Sequence, residues 1–186
     1  VLHPKWKLED YVHPNDTWSI RSLPVHYTDD GSNIAQALIM GTAVAVCDGS
    51  YKAQFGTAGF VIQRGESTES RITGAHVTPG HQDDINPYRS ELGGILAIVV
   101  TIEALASLHD ISEGTIELGC DCDSGITSIF THTYDTPKQP HYDLIHEIRR
   151  KLADSTLTWK FRYVRGHQDK HVPVHLLDMW GRLNVE

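Results

Sequence analysis

Three acidic residues of this 186-residue chain stand where apolar segments meet turns or open a helix. Asp48 closes the run AVAVCD, and Gly49-Ser50 and a second apolar run over 57–61 follow it. Asp121 closes a similar run, IELGCD, and Glu91 lies in the first turn of a long helical pattern. Taken singly, Asp48 reads equally well as a turn-opening Asp, and Glu91 as an acid favoured by the helix dipole. Taken together they point to a metal centre, because three carboxylates brought close repel one another unless a cation compensates them. Oxygen-only ligation selects Mg²⁺ or Mn²⁺. Two such ions about 4 Å apart clamp the attacking and leaving oxygens of an in-line phosphodiester displacement.

The elements that must position these acids follow from periodicity. Strands are predicted over 43–48, 57–64 and 69–77, joined by short turns and so antiparallel. A helix is predicted over 88–108, with Leu92, Ile95, Leu96, Val99, Val100, Ile102 and Leu105 at helical spacing. A strand over 115–121, a short helix over 124–130, a helix over 142–153 and a strand over 157–164 come next. The last twenty residues read as helical from Val174. This order predicts an α/β fold with a five-stranded mixed sheet, its first three strands antiparallel, flanked by helices. A helical crossover then places the fourth strand beside the first, which brings Asp48 and Asp121 together. Asp123 is the alternative third acid, but it falls where a helix starts and suits a cap.

Residues 1–41 mix Pro, His, Trp and acids without a clean period and read as an N-terminal connecting segment, with 42–186 as the domain proper. The segment repeats the DGS triplet at Asp30, without a strong apolar strand before it. Composition is ordinary for a globular chain, 40% hydrophobic and 22% charged. No apolar run reaches membrane-spanning length, and no membrane partner is expected. Three cysteines, an odd number, read as reduced thiols of an intracellular protein, in cytoplasm or nucleus. A net charge of −8 argues against broad electrostatic binding of nucleic acid. Locally, the stretch 149–170 holds seven Lys or Arg and two acids, so a basic surface there is compatible with an acidic chain. The opening Val1 suggests a piece of a longer protein.

Four motifs, DGSYKAQFGTAGFVIQ, YRSELGGILA, IELGCD and FRYVRGHQD, occur in that order. Together they resemble the ribonuclease H domain of retroelement reverse transcriptases, over residues 42–186. The resemblance implies the ribonuclease H-like fold and two-metal hydrolysis of the RNA strand of an RNA–DNA hybrid. It also implies a reverse transcriptase domain in the same polyprotein. Asp48, Glu91 and Asp121 match the first three metal carboxylates, and His167 matches a histidine assisting product release or proton transfer. The helix over 142–153 matches a region that carries basic residues in some members, here Arg149, Arg150 and Lys151. A fourth carboxylate is Asp178 or lies beyond Glu186. The run LDMWGRLNVE resembles the lead-in to a later Asp, so the domain is expected to be truncated at this end, with impaired activity. A second GHQD, at Gly80, is read as a loop without a catalytic role. Three other readings compete: a zinc module built on Cys47, Cys120, Cys122 and a histidine, a hybrid-binding or tethering domain without catalysis, and an integrase- or transposase-type nuclease.

Overall fold

The computed structural model describes residues 8–16, 26–27, 30–131 and 136–186. Its elements in chain order are β1 (His26–Tyr27), α1 (Ser32–Met40), β2 (Ala43–Lys52), β3 (Phe55–Arg64), β4 (Ser67–Val77), α2 (Pro87–Leu108), β5 (Thr115–Cys120), α3 (Asp123–Thr131), α4 (Tyr142–Asp154), β6 (Thr158–Tyr163) and α5 (Met179–Val185). The sheet order is β1-β4-β3-β2-β5-β6. The pairs β2–β3 and β3–β4 are antiparallel, and β2–β5 and β5–β6 are parallel. The expected five-stranded mixed sheet is therefore present. Two-residue β1 extends it by pairing antiparallel with β4.

Helix α2 is the core of the molecule. Ala43, Ala45 and Cys47 of β2, Phe60 and Ile62 of β3, and Ile116 and Leu118 of β5 share one buried cluster with Leu92, Ile95, Ile98 and Ile102 of α2. The period-2 alternation of the strands sends the other residues to the opposite face. There Val44 and Val46 meet Leu183 of α5, with Val61, Met179 and Trp180 at the margin. Cover on both faces explains why the first five residues of β2 are all buried. It also explains α2, which by length and a mean hydropathy of 1.8 is apolar enough to cross a membrane, although the sequence reading found no such run. In the fold, 83% of that apolar window is buried. It is apolar all round because protein surrounds it.

Several sequence expectations change. Strand β2 does not end at Asp48 but continues to Lys52, which pairs with Phe55 across a two-residue turn. That turn is Ala53-Gln54, with φ of 51° and 68°. Tight hairpins need this positive φ, but they usually signal it with Asn-Gly or Asp-Gly. Only the parallel ladder with β5 stops near Asp48, its last pair being Cys47 with Cys120. Glu91 lies beyond the first turn of α2, because the helix is capped by Asn86 and begins at Pro87. The chain from Val174 forms a 3-10 turn, and α5 begins only at Met179. Residues 1–41 also supply core. Leu8 and Val12 are buried on α2, and Ile34, Ala37 and Leu38 of α1 join the same cluster. Each of the Leu, Val and Ile side chains among them contributes roughly 1.5–3 kcal/mol of burial. Residues 17–25 of that segment lie outside the described residues.

Candidate active site

Where the β2–β5 ladder ends, Asp48 stands within β2, Asp121 follows β5, and Glu91 reaches in from the second turn of α2. One carboxylate oxygen from each lies within 4.8 Å of the other two, and this is the one such acidic cluster found among the described residues. The three line an open cavity of about 570 Å³ with Gly49, Tyr88, Cys122, Asp123, Ser124, Tyr163 and His167. Asp123 opens α3 and is exposed at the cavity wall, outside the cluster. The geometry thus brings Asp121, not Asp123, to Asp48 and Glu91.

Local chemistry fixes Glu91 most firmly. It is 8% exposed, and Oε1 accepts a hydrogen bond from the Gly49 amide at 2.9 Å. Its buried Oε2 has no hydrogen-bond partner. Burial pushes its carboxyl up to about 8, the Gly49 amide opposes this, and the Asp121 and Asp48 charges push further. Asp48 is also raised, first by burial, then by the Asp121 charge, with His167 pulling the other way. Glycine is required at 49, since a Cβ there would lie 2.6 Å from the Glu91 amide nitrogen. A carboxylate with an orphaned buried oxygen, facing two more carboxylates, is a donor set that fits a hard divalent cation.

His167 stands at the rim of this cavity and of a second one, of about 540 Å³, which shares Asp48. Its φ of 53° places a non-glycine residue in the left-handed region, a strain of order 1 kcal/mol typical of functional loops. Asp178 is not in the carboxylate cluster. Its side chain accepts from the Gly181 amide at 2.8 Å and caps α5. The basic trio sits in the last two turns of α4, away from the residues that line the cavity. Arg150 pairs with Glu147 and Asp154, while Lys151, 16% exposed, pairs with Asp16 at 2.7 Å and with Glu147. Arg149 is half-buried and also has a partner. The three cysteines are buried and do not form a metal-sized group with a histidine among the described residues.

No protein-family model matches the chain, and no curated protein sequence does. Solved structures do resemble it. A ribonuclease H1 from the halophilic archaeon Halobacterium salinarum aligns over 70% of this chain and 90% of its own, at 19% identity and a TM-score of 0.44. The LC11 ribonuclease H1, isolated from compost and solved with an RNA/DNA hybrid, aligns over 69% and 88%, at 11% identity and a TM-score of 0.49. A foamy viral protease-reverse transcriptase bound to double-stranded DNA aligns over 72% of this chain and 25% of its own, at 13% identity and a TM-score of 0.36. The strand order itself decides the architecture: an antiparallel meander, then two parallel strands added on the side of the first. The fold is ribonuclease H-like. In this ribonuclease H-like sheet the acids occupy the end of the central parallel ladder, where β5 ends, β2 runs on and α2 approaches.

Sequence reading did not single out Tyr88, Tyr163, Cys122 or Ser124 as cavity walls. Their only signal was adjacency to the acids or to the end of a strand. Gly49 and Gly166 were legible as parts of DGS and GHQD, but their contacts with carboxylates were not.

Proposed function

We propose that this site hydrolyses the RNA strand of an RNA–DNA hybrid, using two divalent cations, Mg²⁺ or Mn²⁺, held by Asp48, Glu91 and Asp121. The observation that carries the proposal is the buried Glu91 Oε2 without a partner, facing the other two acids. Bound there, a divalent ion supplies Lewis acidity toward a phosphoryl oxygen and makes a nucleophile of water near neutral pH. The chain's own residues do the rest. The Gly49 amide fixes one Glu91 oxygen and leaves the other free. Asp48, on the rigid centre of the sheet, offers its carboxylate between β3 and β5. His167, beside Asp48 at the rim, moves a proton or assists departure of the product.

The motif resemblance supports hybrid as the substrate. Metal-assisted phosphodiester chemistry needs only the backbone to be positioned, so discrimination rests on the A-like shape and 2′-hydroxyls of the RNA strand. The end of α4 with Arg149, Arg150 and Lys151 is the proposed face for the partner strand. Contact there requires Arg150 and Lys151 to exchange their present acidic partners for phosphates. By the same resemblance the proposal includes a reverse transcriptase domain in the same polyprotein, acting inside the cell. One observation favours a second reading. Asp178 is committed to a helix cap, which suits a domain that holds hybrid but cuts it slowly.

End-labelled hybrid, duplex RNA and duplex DNA, each incubated with Mg²⁺ or Mn²⁺ and with EDTA controls, test the proposal. Cutting of the RNA strand of the hybrid alone is the expected result. Cutting of duplex DNA indicates an integrase-type nuclease. Binding of hybrid without any cutting supports the second reading.

A further inference from the structure

Two glycines abut the acidic cluster, and they do so for different reasons. At Gly49 an added Cβ would lie 2.6 Å from the Glu91 nitrogen and 2.8 Å from the Ser90 carbonyl carbon. Both are helix backbone, so any side chain there displaces α2 itself. At Gly166 the three atoms nearest an added Cβ all belong to Asp121. They are Oδ2, which the added atom would overlap outright, Cγ at 2.8 Å and Cβ at 3.3 Å. The φ of Gly166 lies outside the left-handed region. Backbone freedom is therefore not what glycine provides here. It provides room for one carboxylate.

The loop that carries Gly166 is held at both ends. The Val164 amide donates to the Cys120 carbonyl at 2.8 Å, which ties the loop's start to the strand leading into Asp121. The Gln168 side-chain Nε2 donates to the Arg165 carbonyl at 2.7 Å and closes the loop around Gly166. Behind it, a Cβ at Gly181 of α5 would lie 3.0 Å from that same Gln168 nitrogen. Between these supports sits His167 with its positive φ. The Val164–Cys120 bond ties the start of the loop to the strand before Asp121, and α5 packs on the turn that follows Gly166, so a side chain at 166 meets the free end of the Asp121 side chain before it can displace the loop.

We infer that Gly166 is a positioning residue for Asp121. The bare Cα is the wall against which the third carboxylate rests, and the loop bearing His167 is thereby coupled to the acidic cluster. With alanine at 166, the Asp121 carboxylate has to leave the rotamer that brings it to Asp48 and Glu91. Supports of this kind around metal ligands typically change affinity by roughly 10–100-fold. The metal arm of the inference rests on the function proposed above, while the contact itself does not.

The test is a double-mutant cycle of wild type, Gly166→Ala, Asp121→Ala and the double variant. Thermal unfolding is measured in EDTA, and Mn²⁺ affinity by calorimetry. Gly59→Ala is the control, since its Cβ would have its nearest neighbour at 3.9 Å. Gly166→Ala is expected to weaken Mn²⁺ binding about 10–100-fold and to lower the metal-free melting temperature. In the Asp121→Ala background the same change should leave the melting temperature unchanged or raise it, because alanine restricts the unfolded chain. An equal loss of melting temperature in both backgrounds overturns the inference, as does unchanged Mn²⁺ affinity in Gly166→Ala. If Gly166→Ala does not fold, a folded double variant supports the inference and an unfolded one overturns it. If wild type binds no Mn²⁺, the proposed function fails, and the thermal cycle still decides the contact.

Discussion

The metal-free protein should lose stability between pH 6 and pH 8, and Glu91→Gln should flatten that fall. The folded carboxyl titrates at about 8 against an ordinary 4.5. Between those values the folded state binds a proton that the unfolded state has released. Stability from this group is therefore complete below pH 4.5 and is lost as pH rises toward 8. At pH 6 the protonated folded carboxyl contributes about 2.7 kcal/mol, and at pH 8, half-titrated, about 0.4 kcal/mol. The loss attributable to Glu91 is thus about 2 kcal/mol. Glutamine keeps an acceptor for the Gly49 amide but cannot titrate, so it lacks this slope. His76 works in the opposite direction. Burial holds it down at about 4, and its share of stability is lost as pH falls below about 6.5, but it is common to both proteins and cancels in the comparison. Urea unfolding in EDTA at pH 6, 7 and 8 gives the two curves. Parallel curves would refute the reasoning, because they would mean that Glu91 is already ionised in the metal-free fold. Saturating Mg²⁺ should reverse the wild-type slope, since the ion replaces the proton and binds better at pH 8.

Other consequences are simpler. Leu38→Ala should cost about 2–5 kcal/mol in denaturant unfolding, because Leu38 is fully buried in the main core; a change under 1 kcal/mol would detach α1 from the folding unit. Lys151→Ala should cost about 1–3 kcal/mol by removing one ion-pair partner of the buried Asp16. Arg150→Ala, whose ion pairs are exposed, should change stability by less than about 1 kcal/mol. If the end of α4 meets the hybrid, charge reversal at Arg149 and Arg150 should lower the salt dependence of hybrid binding; an unchanged slope would place the hybrid elsewhere.

How far the sequence could be read depended on how local each signal was. The long helix and the core strands were legible from periodicity, and the meeting of Asp48 with Asp121 from the handedness of one crossover. The full length of β2 was hidden because Ala53-Gln54 adopts positive φ without glycine or asparagine. The core role of the N-terminal segment was hidden because Leu8 and Val12 are isolated apolar positions, too sparse to form a pattern. The basic trio looked free because the acid that holds Lys151, Asp16, lies 135 residues away. Asp178 was one of two places for a fourth acid, and its role as a cap depends on where α5 begins. Contacts that depend on distant sequence are the ones that single-sequence patterns do not carry.

Asp48, Glu91 and Asp121 are proposed above to form a divalent-metal site. Mn²⁺ titration calorimetry of wild type, Asp48→Asn, Asp121→Asn and Asp123→Asn tests it most directly. Wild type should bind Mn²⁺, and Asp48→Asn and Asp121→Asn should each weaken binding by at least about tenfold while remaining folded. Asp123→Asn should bind as wild type does. Absence of binding in wild type, or a loss in Asp123→Asn equal to that in Asp121→Asn, would contradict the proposal.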